Sequence, residues 1–228
     1  LKRGLDFNHL KSYTYSMKDN GLFYYWGPLL FKITLSTKDV QALKNVCNES
    51  RLKKKDQDFS ATHKQVLSML EFHRVDAEKY TNIIKPYLGS YQAAYKSFYG
   101  KGFKHIHTEF VWVNYMKKGD YNPPHEHTNC NLSSVLYLEI PPGIEKENQE
   151  FVGQGCGPGA IHFILGGPQP LYNNSYIFKP KVGDFFIFPW CLTHTVAPFS
   201  CKGTRISVAA NFTLSEMGKD GNLEKIST

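Results

Sequence analysis

The sequence predicts an α+β protein, mainly β, with N-terminal helices backing a closed or two-sheet β core. Apolar residues keep a 3.6-residue period in the first half and change to a period of two after about residue 103. Turn residues then punctuate the chain at short intervals, as many short strands require. The chain of 228 residues carries 16 Phe, 14 Tyr and 3 Trp, ample for one buried core. With no internal repeat and no linker, residues 1–228 read as a single domain. Its parts are a strand and helical support region over about 1–102, a β core over about 103–214 and a tail at 215–228.

Residues 1–20 are polar and peripheral. Leu22 to Leu35 is rich in aromatic and β-branched residues and reads as strand around a Gly27-Pro28 break. Ser36 or Thr37 then caps a helix over about 37–49, with Asp39 in its first turn and Val40, Leu43, Val46 and Cys47 at helical spacing. The mixed charges of 51–58 read as a solvated loop. A second helix spans about 77–99, where Tyr80, Ile83, Ile84, Tyr87, Leu88, Tyr91, Ala94, Tyr95 and Phe98 form one stripe and Gly100 stops it. Pro86 should kink or divide that helix. Strands follow at Phe103–Met116, Leu132–Ile140, Ala160–Leu165, Ser175–Phe178, Phe185–Phe188 and Thr204–Phe212. The Gly- and Pro-rich tract from Phe151 to Asn174 supplies long turns, and the tail from Leu214 carries little signal.

The net charge is +7, with a sequence pI near 9.0. That balance suits acidic partners; nucleic acid is possible but not favoured. The five cysteines are odd in number and contain no C-x-x-C pair. A disulfide framework is therefore not expected, which points to a reducing, cytoplasmic setting. The start, Leu1-Lys2-Arg3-Gly4, precedes no apolar leader. The longest apolar run, Leu22 to Phe31, falls short of the roughly 20 residues a membrane span needs, so no membrane contact is expected.

Chemistry concentrates in Asp120-Tyr121-Asn122-Pro123-Pro124-His125-Glu126-His127 and in Phe188-Pro189-Trp190-Cys191-Leu192-Thr193-His194-Thr195-Val196. Side chains alternate along a strand, so His125 and His127 share a face. His194 stands 67 residues beyond His127, at the end of an apolar strand. Three imidazoles so spaced form a metal-ligand pattern, and imidazole suits iron, zinc, copper and nickel alike. Glu126 points to the opposite face of a regular strand and ranks as an outer or surface group. His105 and His107 also alternate, but no later His matches their frame. His162 is a core or pocket-wall residue; His9, His63 and His73 look like surface residues. Trp112 and Trp190 are pocket walls or core, and Cys130 is a small packed residue.

The second half resembles the 2-oxoglutarate and Fe(II)-dependent oxygenases of the double-stranded β-helix (jelly-roll) fold, and within them the prolyl-hydroxylase-like branch. The resemblance rests on Asn114-Tyr115, on Gly119 through His127, on Ser133 through Leu138, on Gly183 through Pro189 with His194-Thr195-Val196-x-Pro198, and on Arg205-Ile206-Ser207-Val208 with Asn211. It implies Fe(II), O2 and 2-oxoglutarate as cosubstrate, and His125, His127 and His194 as metal ligands and catalytic residues. In that family a His-x-Asp and a later His leave three metal positions open; here His127 stands where the Asp should be. The resemblance implies that Arg205 binds the distal carboxylate of 2-oxoglutarate as a bidentate pair. Ser207 adds a hydroxyl on the same face, while Tyr115, Tyr137 and Asn114 line the cosubstrate pocket and Asn211 orients substrate or cosubstrate. The expected activity is hydroxylation of an unidentified substrate, such as a prolyl residue or a small molecule.

Two other readings remain open on the residues. Three His and a water also make a catalytic zinc shell, or a dioxygenase that binds its substrate directly. A non-catalytic jelly-roll module would keep the fold and need no metal. The first would not need Arg205, and ligand binding by the second, nucleic acid included, should fall steeply with salt.

Overall fold

A computed structural model describes residues 22–25, 27–52, 71–153, 155–167, 174–217 and 222–226. The readings made for residues 1–20, for 53–58 within the charged run, for His9 and His63, and for part of the 151–174 tract lie outside the described residues.

The chain opens with β1 (Leu22–Tyr25) and β2 (Leu29–Thr34), separated at Gly27-Pro28 as expected. Helix α1 (Thr37–Leu52) begins where the Ser36 hydroxyl accepts the Asp39 N–H, a side-chain N-cap. After β3 (Glu71–Arg74), Asp76 caps α2 (Ala77–Tyr99) by accepting the Lys79 N–H at 3.0 Å. Gly100 ends α2 with φ of 70°, and its N–H returns to Lys96 O. Pro86 does not divide α2. Pro86 and Asn82, whose carbonyl loses its helical donor, are both exposed, so water can meet the freed carbonyl.

The second half supplies β4 (His105–Met116), β5 (Asn122–His125), β6 (Leu132–Glu139), α3 (Gly143–Glu150), β7 (Ile161–Ile164), β8 (Ser175–Phe178), β9 (Asp184–Pro189), β10 (Thr193–Val196), β11 (Arg205–Met217) and β12 (Leu223–Lys225). Three features depart from expectation. α3 follows Pro141-Pro142 directly. β11 runs five residues past Phe212, and the tail returns as β12 beside it, pairing Ser215 with Lys225. Thr213 and Ser215 interrupt the apolar pattern there, which hid the extension; both are buried.

Among the described residues the strands form two sheets. The larger has eight strands, in the order β1-β2-β9-β6-β11-β4-β3 with β12 on β11; the smaller runs β5-β10-β7-β8. Among the described residues these strands all pair antiparallel. This is the double-stranded β-helix: two facing sheets behind a helical layer. Alternation sorts the large sheet into two cores. Phe31, Val113, Leu136, Ile187, Val208 and Phe212 face α1 and α2, where Phe31 meets Tyr91 edge-on at 5.7 Å. Leu30, Tyr137, Phe186 and Phe188 face the small sheet. Phe163 of β7 joins the layers, with ring contacts to Phe178, Phe186, Phe188 and His194. Both faces of the large sheet are covered, so its strands read as long apolar runs. No helix among the described residues is long and apolar enough to cross a membrane.

Candidate active site

The small sheet brings the three histidines together. His125 closes β5 and lies directly opposite His194 of β10. The regular strand ends at His125, so His127 sits just beyond it rather than on it; its N–H donates to Trp190 O at 3.1 Å, which holds the loop inward. Ring centroids are 4.2 Å apart for His125–His194, 5.2 Å for His127–His194 and 5.4 Å for His125–His127. One ligand nitrogen from each falls within 4.8 Å of the others, a group able to hold a metal ion.

Backbone carbonyls orient two of the rings. His125 Nδ1 lies 2.8 Å from Pro123 O, and His194 Nδ1 lies 2.9 Å from Leu192 O. A carbonyl only accepts, so each Nδ1 carries the proton and each neutral ring turns the Nε2 lone pair inward. His127 Nε2 and His194 Nε2 are 3.3 Å apart. Two nitrogens each bound at roughly 2.1 Å to one cation would have about this separation. Burial lowers the pKa of all three, that of His127 to about 4 and that of His194 well below the ordinary value. The rings are therefore neutral, the state that binds metal. Glu126 is exposed and accepts the Thr193 hydroxyl at 2.6 Å; it lines the same cavity but is not one of the grouped ligands.

The triad opens into a cavity of about 340 Å³ between the sheets. Arg205, the first residue of β11, lies in its wall and is only 2% exposed. One Nη donates to Gly159 O at 3.0 Å and the other contacts Met116 Sδ. Nε has no partner, and the guanidinium lies 5.3 Å from the centre of the Tyr137 ring. No carboxylate pairs with Arg205 among the described residues. The Tyr137 hydroxyl is likewise buried without a partner, its pKa raised to about 12 by burial. A buried cation without a counter-charge is costly, and this one faces a cavity.

Residues 110–211 match the family model described as "Putative 2OG-Fe(II) oxygenase". The match covers somewhat less than half of the chain, and within it the sequence is similar to the 2-oxoglutarate/Fe(II) oxygenases. Solved structures agree at the level of fold. A Pseudomonas putida prolyl-4-hydroxylase matches with a TM-score of 0.54 and 14% identity over 80% of this chain and 91% of that one. Two non-heme alpha ketoglutarate dependent enzymes of nogalamycin biosynthesis are similarly alike. They are the carbocyclase SnoK (TM-score 0.54, 11% identity, 82% and 81% covered) and the epimerase SnoN (0.53, 13%, 82% and 79%). No curated protein matches by sequence.

The matched family points to an oxidoreductase that uses Fe(II), O2 and 2-oxoglutarate. The site fits both groups: three neutral nitrogen donors for the metal, and a buried, unpaired guanidinium for a carboxylate. Ser207, Tyr137 and Asn114 line the same cavity. Tyr115 does not. It belongs to the helix-facing core, beneath the Arg51 guanidinium at 4.3 Å and beside His73. Asn114 and Tyr115 are neighbours on β4, and neighbours on a strand face opposite ways. Only one of them can line the cavity. His73 is correspondingly half-buried rather than a surface residue, 3.0 Å from Glu71.

His105 and His107 lie apart from the triad, with His107 Nε2 3.0 Å from Ser215 Oγ. His162 alternates with the inward Ile161 and Phe163 and so turns away from the cavity. Sequence reasoning missed Met116, the Gly159 carbonyl, Phe72 and Phe110. Parity with Asn114 could have found Met116 and Phe110; Gly159 and Phe72 arrive from distant segments and have no local signal.

Proposed function

We propose that His125, His127 and His194 hold Fe(II), that Arg205 anchors 2-oxoglutarate, and that the enzyme hydroxylates an unactivated C–H bond of its substrate. The observation that carries this is Arg205, a fully buried guanidinium with no carboxylate partner in the cavity that the three histidines enter. A three-His zinc or direct-binding site would leave that charge uncompensated.

Fe(II), when bound, supplies O2 activation coupled to oxidative decarboxylation of the cosubstrate. The overall change balances as R–H, O2 and 2-oxoglutarate giving R–OH, succinate and CO2. The protein's part is to bind and orient. The Pro123 and Leu192 carbonyls keep His125 and His194 in the tautomer that offers Nε2. Arg205 takes the distal carboxylate through its fork, with Ser207 and the Tyr137 hydroxyl as further donors. Phe188, Ile161 and Val196 wall off water. Three neutral imidazoles leave the full metal charge in place where the family's usual carboxylate would cancel one unit. The dianionic cosubstrate offsets that charge.

The test is anaerobic titration of 2-oxoglutarate into Fe(II)-loaded protein. A weak visible charge-transfer band should grow to one equivalent, and admitting O2 should release succinate slowly even without substrate. A protein that holds Fe(II) but gives no band and no succinate would overturn the reading.

A further inference from the structure

The paired strands β4 and β11 form one wall of the cavity, and their inward residues run in order from Met116 and Arg205, through Asn114 with Ser207 and Trp112 with Ala209, to Phe110 and Asn211. At about 3.4 Å per residue, Arg205 and Asn211 lie roughly 20 Å apart along β11. The histidine triad meets this line at its third pair, where the His127 ring is 5.8 Å from that of Trp112. Arg205 occupies one end. The other end takes no part in the proposed metal and cosubstrate sites.

That far end is an aromatic shelf. Trp112 and Phe110 stand 5.4 Å apart, and beyond them the Arg74 guanidinium lies 4.9 Å from the Phe110 ring centre. Arg74 is exposed and has no acidic partner among the described residues. Asn211 Oδ1 is buried beside the shelf with no hydrogen-bond partner. Among the described residues, the only acidic one in the cavity lining is Glu126, already bonded to Thr193. A divalent metal and Arg205 together outweigh a dianionic cosubstrate by one positive charge, and Arg74 adds another at the rim.

We propose that the Phe110–Trp112 shelf is the substrate subsite and that it takes an aromatic ring carrying an acidic group. The inference rests on the reading of the histidine triad as the metal centre. The ring lies on Trp112 and Phe110, as flat π-systems do on aromatic faces. Its acidic group meets Arg74 at the rim, and the Asn211 amide oxygen accepts a donor from the ring or its substituent. A ring seated on Trp112 has its inner edge beside His127, where the substrate C–H must arrive.

The experiment uses the full chain loaded with Mn(II) and saturated with 2-oxoglutarate, and phenylacetate as the probe. Cyclohexylacetate and benzyl alcohol are the non-aromatic and uncharged controls. Paramagnetic broadening of probe protons reports proximity to the metal, and its titration reports affinity. Phenylacetate should be broadened with 2-oxoglutarate present, and should bind more tightly than either control. Arg74→Gln should weaken phenylacetate about two- to fivefold, as for an exposed ion pair, and leave benzyl alcohol unchanged. Trp112→Leu should remove the broadening while 2-oxoglutarate affinity is retained. Displacement of phenylacetate by 2-oxoglutarate, equal affinity for the three probes, or unchanged phenylacetate affinity in Arg74→Gln would overturn the assignment. A wild-type protein that binds neither Mn(II) nor 2-oxoglutarate would overturn the metal-centre reading beneath it.

Discussion

Arg205 sets stability against function. Buried at 2% exposure with Nε unpartnered, it costs the cosubstrate-free protein free energy, because desolvation of a cation is recovered only by an anion. Arg205→Met keeps the volume and drops the charge. The melting temperature of the cosubstrate-free variant should equal or exceed that of the wild type, while 2-oxoglutarate affinity falls by about 2–5 kcal/mol, the usual result of truncating one partner of a buried charged pair. Calorimetric titration and thermal melts on the same sample check both; a variant that binds 2-oxoglutarate as well as wild type removes the anchor. The imidazoles give a pH signature. Burial depresses the pKa of His127 from 6.5 to about 4, so the unfolded chain gains the proton first as pH falls. The stability tied to the neutral ring is complete above about pH 6.5 and is lost as pH falls toward about 4. Metal-free protein should melt at progressively lower temperature across that window, more steeply than His127→Asn. Parallel melting curves for the two proteins would count against burial of a neutral His127.

At the scale of elements, the small sheet gathers the triad and the large sheet carries Arg205, so the site depends on how firmly the two sheets hold together. Phe163 packs against Phe186 and Phe188 across the gap and against His194 beside it. Phe163→Ala should destabilise the fold by about 3–5 kcal/mol, as removal of a buried ring does, and should weaken metal binding in what remains folded. Chemical denaturation and a metal titration separate the two effects. Unchanged stability would mean the layers are held elsewhere. The turn before β9 is a second such point. Gly183 has φ of 90°, and a Cβ there would come 3.1 Å from Leu35 O. Its N–H donates to Tyr137 O and its carbonyl accepts the Leu35 N–H, tying β2 and β6 to the turn. Gly183→Ala should cost more than the ~1 kcal/mol that a Gly-to-Ala change gains at a compatible position.

For the whole molecule, ligand binding and folding are linked, because the site draws on residues far apart in the chain and exists only in the folded state. At 100 times its dissociation constant a ligand adds about 2.7 kcal/mol, or roughly 5–10 °C in melting temperature for a protein of this size. Mn(II) alone should raise the midpoint, and Mn(II) with 2-oxoglutarate should raise it further. The second increment should vanish in Arg205→Met while the first survives. Loss of both in that variant would mean Arg205 supports the metal site itself.

Much of this protein was legible from local sequence. The period change near residue 103, the caps at Ser36 and Gly100, and the Gly27-Pro28 break are one-dimensional signals, since backbone geometry fixes them within a few residues. Three histidines were also visible as a pattern, and alternation along β11 put Arg205 and Ser207 on one face. What stayed hidden depended on partners distant in the chain. The continuation of β11 with β12, the departure of Tyr115 toward the helices, the closure of Gly159 and Met116 around Arg205, and the shelf from Trp112 to Arg74 all arise where segments far apart in sequence meet. Alternation says that Asn114 and Tyr115 face opposite ways. Which face becomes cavity is decided only when α1 and α2 cover one side of the sheet and the histidine-bearing strands cover the other.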